Sequence, residues 1–139
     1  MSRSLRDISV KEFMSASLVT FSPETPIFDA IRRLVSQGVS GAPVLDQFGN
    51  IIGILSEKDC MKVALNAAYH DELGGKVDDF MSRSPVTVEA DASVLEVAEM
   101  FFASSFKRYP VVHQQRLVGQ ISRSDILKAI DRFSEPVSL

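Results

Sequence analysis

The sequence has no tryptophan, one cysteine, two histidines and no long apolar run. Each shortage removes a class of protein. Cys60 alone cannot close an internal disulfide or build a multi-cysteine metal site. His70 and His113 lack a second ligand at metal spacing, so no metal is expected. No stretch approaches the roughly 18 apolar residues of a membrane helix. The arginines of Met1–Asp7 are not followed by the apolar core of a secretory signal. Walker and dinucleotide glycine loops, paired carboxylates and a Ser-His-Asp set are also missing, so a non-enzyme is expected. With 15 basic against 18 acidic residues the net charge is −3, which argues against a broad nucleic-acid surface. A bound anion must be held by local features. What is present, 45% hydrophobic and 24% charged residues in 139, suits one compact domain or two very small ones, in a cytoplasmic setting.

The chain repeats itself. Laying Val10 on Val77 brings Phe13-Met14-Ser15 onto Phe80-Met81-Ser82 and Pro43-Val44 onto Pro110-Val111. Past the turn Asp46–Asn50 the offset shortens by one residue, and Gly53, Ser56, Asp59 and Lys62 meet Gly119, Ser122, Asp125 and Lys128. Hydrophobic phase agrees too. Ile27, Ala30, Ile31, Leu34 and Val35 form the stripe of an amphipathic helix, and Val94, Val97, Ala98, Phe101 and Phe102 repeat it. Each repeat reads β-α-β-β-α, an α+β fold. Leu18–Phe21 and Pro85–Val88 are opening strands; Thr25-Pro26 and the capping box Ser93–Glu96 start the helices. The repeats span 10–66 and 77–133, joined by a linker at 67–76. Neither has enough core to stand alone, so the two are expected to pack together.

In both repeats the last strand runs into Gly-x-x-Ser-x-x-Asp: Gly53…Ser56…Asp59 and Gly119…Ser122…Asp125. Serine at N-cap with an acid three residues on is a capping arrangement worth about 1 kcal/mol and requires no ligand. The same physics serves a second purpose. A helix start presents unpaired N–H groups and partial positive charge to an anion. A carboxylate there repels phosphate but accepts hydrogen bonds from ribose hydroxyls. Both readings stand on these residues.

The doubled pattern Phe-Met-Ser…Val-Thr…Pro-Val…Gly-x-x-Ser-x-x-Asp resembles a tandem pair of CBS (cystathionine β-synthase) domains, a Bateman module, over nearly the whole chain. The resemblance implies two pseudo-symmetric units packed sheet to sheet, two clefts, and a homodimer. It also implies a regulatory module that binds an adenine nucleotide and signals energy or metabolite state to a partner enzyme or transporter. AMP, ADP or ATP are expected ahead of NAD or S-adenosylmethionine, and no obligatory cofactor is. The competing reading is a protein-interaction scaffold whose clefts are vestigial.

Carried over residue by residue, one cleft comprises Ser122 and Asp125 with Ser15, Val19, Val39 and Ser40. The other comprises Ser56 and Asp59 with Ser82, Val86, Phe106 and Lys107. Two basic residues, Arg108 before the Pro-Val strand and Arg123 inside the corner, favour the first cleft for an anion, because Gly41 and Glu57 stand at those places in the other repeat.

Overall fold

The computed structural model describes residues 4–16, 18–72 and 74–134. The chain forms two compact units: a central one, Leu18–Pro85, and a terminal one made of Met1–Ser17 with Val86–Leu139. This spatial division cuts across the sequence repeats, because the opening segment of each repeat joins the body of the other. Backbone pairing explains the exchange. Val10 N donates to Ala92 O at 2.9 Å and Val94 N to Ile8 O at 2.8 Å. In the central unit Val77 N donates to Thr25 O and Ile27 N to Gly75 O, both at 2.9 Å. Each exchanged segment also delivers a valine, Val10 or Val77, that is fully buried in the core it joins.

The central unit contains α1 (Ile27–Gln37), β1 (Gly41–Leu45), β2 (Ile51–Ser56), α2 (Glu57–His70), α3 (Val77–Phe80) and β3 (Ser82–Arg83). The terminal unit contains β4 (Val88–Glu89), α4 (Val94–Phe102), β5 (Arg108–His113), β6 (Arg116–Ser122) and α5 (Arg123–Phe133), preceded by a 3-10 turn at Val10–Glu12. Their sheets have the orders β1-β2-β3 and β4-β5-β6. Single-residue bridges complete the likeness: Phe21 joins Val44 in parallel and Ser15 joins Gln120 antiparallel. Both units therefore share one four-position plan, Phe21-β1-β2-β3 and β4-β5-β6-Ser15. The first expected strand, Leu18–Phe21, shrinks to its last residue, and the expected Pro85–Val88 shifts to Val88–Glu89.

The helix stripes point into the two cores. Ile27, Ala30 and Leu34 of α1 pack with Val44, Leu55, Val63 and Phe80. Val94, Val97 and Phe101 of α4 pack with Tyr109, Val111, Ile121 and Ile126. Burying such a side chain is worth about 1.5–3 kcal/mol, so these stripes dominate the stability of each unit. The stripes end earlier than their periodicity predicts: Val35 is 76% and Phe102 96% exposed. Helix α1 also starts a residue late, with Pro26 as N-cap rather than first helical residue. Pro26 is bridged to Lys76, which holds Thr25-Pro26 extended. The expected linker begins as helix, since α2 runs to His70 and ends on Asp71 in the left-handed region.

Candidate functional site

In both units the last long strand turns into a helix at the repeated serine. Ser122 Oγ accepts from Asp125 N at 3.2 Å, and Ser122 N donates to Asp125 Oδ2 at 2.9 Å. Ser56 and Asp59 reproduce the box at 3.1 and 3.0 Å. The capping reading is therefore realised twice. It does not exhaust the chemistry, because the two corners differ in what surrounds the box.

Strand register sets the first difference. Arg108 is the cross-strand partner of Ser122, whereas Gly41 is the partner of Ser56. A β carbon on Gly41 would stand 3.0 Å from Leu55 O, so that corner is bare of side chain and tight. Arg108 Nε is enclosed and has no hydrogen-bond partner among the described residues. A buried guanidinium N–H left unpaired is costly, which marks the place where an acceptor is missing.

The carboxylates differ as well. Asp59 is buried and fully engaged: its Oδ1 accepts from the Ser82 hydroxyl at 3.3 Å and faces Lys62 Nζ at 3.5 Å, while Oδ2 takes Ser56 N. The Asp125 side chain is 14% exposed against 9% for Asp59, but among the described residues its Oδ1 faces only the Lys128 ammonium, 3.9 Å away. Ser15, the counterpart of Ser82, pairs with Gln120 through its backbone alone, at 2.9 and 2.8 Å. The terminal unit thus carries Ser15, Arg108 and Asp125 with donor or acceptor capacity left among the described residues, while the Ser122 hydroxyl also meets Ser124 Oγ at 3.0 Å.

Arg123 is placed differently from its expected phosphate role. Its Nε donates to Phe106 O at 2.8 Å and its Nη2 to Ser104 O at 3.1 Å. The guanidinium also lies 6.0 Å from the centre of the Phe101 ring. Phe106 stands edge-on to Tyr109 with centroids 5.6 Å apart, and Lys107 O accepts Arg123 N at 3.2 Å. Val86 is exposed. The remaining carried-over residues, Val19, Val39 and Ser40, lie in the central unit, where the two valines pack on its core and Ser40 O accepts Glu57 N at 2.9 Å.

One group near the site escapes sequence reasoning. The Tyr109 hydroxyl meets Ser104 Oγ at 2.9 Å and donates to Met100 O at 3.2 Å, pinning the turn that precedes β5. The signal available was a tyrosine inside an apolar run, whose hydroxyl needs a partner once buried.

Cys60, beside Asp59 on α2, is not an activated nucleophile. Burial, followed by the charges of Asp59 and Glu57, pushes its thiol above the ordinary value. A raised pKa leaves less thiolate at any given pH, so alkylation by iodoacetamide at pH 8 is expected to run several-fold slower than for an exposed cysteine. A rate equal to that of a free thiol would contradict this placement.

Comparison with known proteins agrees with this architecture. The family model described as the CBS domain matches residues 10–66 and 77–132. A CBS domain-containing protein of Dictyostelium discoideum is 30% identical over 140 residues, covering 94% of this chain and 96% of its own. The crystal structure of CBSX2 in complex with AMP, a protein of Arabidopsis thaliana, superposes with a TM-score of 0.80 at 27% identity, over 92% of this chain and 99% of that one. An inosine-5'-monophosphate dehydrogenase of Methanocaldococcus jannaschii is 29% identical, but the chain spans only 22% of its length. With two repeats, two like-built three-stranded sheets and twin Ser/Asp corners, the chain belongs to the CBS domain family as a tandem pair of its domains.

Proposed function

We propose that this CBS pair is a regulatory module whose Ser122/Asp125 corner binds an adenosine-containing ligand with a phosphate tail, AMP, ADP or ATP ahead of NAD or S-adenosylmethionine. The observation that carries the reading is Arg108, cross-strand from Ser122 with an enclosed Nε that lacks an acceptor. A phosphate oxygen supplies that acceptor, the unpaired N–H groups at the start of α5 add to it, and Asp125 is left to receive ribose hydroxyls. The similar CBSX2 is known in complex with AMP, which supports the ligand class. The Ser56/Asp59 corner, with Gly41 in place of the arginine and a spent carboxylate, suits a weaker or less charged occupant.

Calorimetric titration of the full chain tests this reading. Arg108→Ala is expected to weaken AMP about tenfold or more while adenosine binding stays nearly unchanged, since a charge-assisted bond contributes about 1.5–3 kcal/mol. Absence of AMP binding to the unmodified chain, or equal losses for both ligands, would overturn it.

The proposal includes a homodimer and a cytoplasmic setting that suits the free thiol of Cys60. Met61, Leu65 and Tyr69 recur along one face of α2 and are exposed; Leu127 and Ile130 are exposed on α5. Apolar side chains in such rows gain about 25 cal/mol per Å² on leaving water, which favours a second copy as their cover. Leu65→Glu is expected to shift sedimentation from dimer to monomer; an unmodified chain that sediments as a monomer at all concentrations would sink the dimer. No described helix is long and apolar enough to cross a membrane.

A further inference from the structure

Arg123 links two parts of the terminal unit that the sequence reading assigned to different ligand sites. It follows Ser122 at the corner, yet its side chain reaches the turn between α4 and β5, with Nε 2.8 Å from Phe106 O and Nη2 3.1 Å from Ser104 O. Its own N–H adds Lys107 O at 3.2 Å. The central unit has only the backbone part of this device: Glu57 N donates to Ser40 O, and no side-chain bond from Glu57 accompanies it.

We infer that Arg123 is a positioning residue, a strap that fixes the Ser104–Lys107 turn against the first turn of α5, rather than a ligand of phosphate. A planar fork suits the task, because two N–H donors at a fixed angle can hold two carbonyls of one turn at once. The turn has other ties. Phe106 N donates to Ser104 Oγ at 3.3 Å, and Ser104 meets Tyr109. These bonds close the turn on itself and on β5; among the described residues Arg123 alone ties it by a side chain to α5. Arg108 begins β5 immediately after the turn, so the strap also sets where the orphaned Arg108 guanidinium starts from.

The inference deepens the proposed ligand site and rests on that reading for its titration arm, but not for its exchange arm. Amide hydrogen exchange of the full, unliganded chain is the first readout. Arg123→Ala is expected to speed exchange across 104–107 at least tenfold, with the amides of Val111 and Val112 unchanged, because loss of two charge-assisted bonds frees a local segment rather than the core. Arg123→Lys keeps the charge but loses the fork, so it is expected to speed the same amides. It also serves if the alanine variant fails to fold.

Titration is the second readout. Either variant is expected to weaken adenosine and AMP by the same factor, about fivefold, whereas a phosphate ligand would weaken AMP alone. Unchanged exchange at 104–107 in both variants overturns the inference, and so does a loss confined to AMP. If the unmodified chain binds neither adenosine nor AMP, the ligand reading fails and exchange alone decides the strap.

Discussion

Asp125→Ala is expected to abolish most AMP binding, while Asp59→Ala changes AMP affinity little and costs stability instead. The two carboxylates occupy the same place in the repeat and differ in what they have left to give. Asp59 is buried, with both oxygens occupied by the Ser82 hydroxyl, the Ser56 amide and the Lys62 ammonium. Removing it strands those donors and undoes the cap of α2, a loss of about 1–3 kcal/mol. Asp125 caps α5 with one oxygen and keeps the other facing only Lys128 at 3.9 Å. In the proposed site that oxygen accepts from the ribose, and its loss is expected to weaken AMP at least tenfold, since hydrogen bonds to charged groups are worth about 1.5–3 kcal/mol. Calorimetry on both variants, paired with thermal unfolding, separates the effects. Equal loss of AMP affinity would sink the asymmetry between the corners.

Gly119→Ala is expected to destabilise the chain by about 1–3 kcal/mol, and Gly119→Val by more, through overpacking against a backbone that cannot retreat. A β carbon at Gly119 would stand 2.6 Å from Met14 Sδ and 2.8 Å from Ser15 O. The thioether can swing away; the carbonyl cannot, because Ser15 O holds Gln120 N at 2.8 Å. Gly53 faces the same obstacle, with Met81 Sδ and Ser82 O both 2.8 Å from the added carbon. Hence Met14→Ala in the Gly119→Ala background should recover only a minor part of the loss. Urea denaturation measures both variants. Unchanged midpoints would show that the exchanged Met-Ser segments do not lie against the glycines of the corner motif.

These glycines also show how far the sequence could be read. The repeat placed Phe-Met-Ser and Gly-x-x-Ser-x-x-Asp in register within each copy, and local signals then found the stripes, the caps and the twin corners. Their meeting across copies, Met14 on Gly119 and Met81 on Gly53, was anticipated only through the family resemblance, which set Ser15 with Ser122 and Ser82 with Ser56. It depends on backbone pairing between distant segments, which no local periodicity records. The same limit applies to Arg123. Its charge and place were visible, but the carbonyls it holds belong to a turn whose shape is set by Tyr109 and Ser104. Phe102 was read as core from its phase, yet it is the last residue of α4 and is exposed. Arg108 was legible as a basic residue before the Pro-Val strand where the other repeat has Gly41, but its pairing with Ser122 was not, because a bulge between Val111 and Val112 shifts the hairpin register by one residue.

A crystal structure of the full chain grown with AMP tests the central claim most directly. The expected density puts the phosphate within hydrogen-bond distance of the Arg108 guanidinium and the first amides of α5, with the ribose hydroxyls on Asp125. AMP bound elsewhere, with Arg108 Nε still unpaired and the Ser122 corner occupied by solvent, would contradict it.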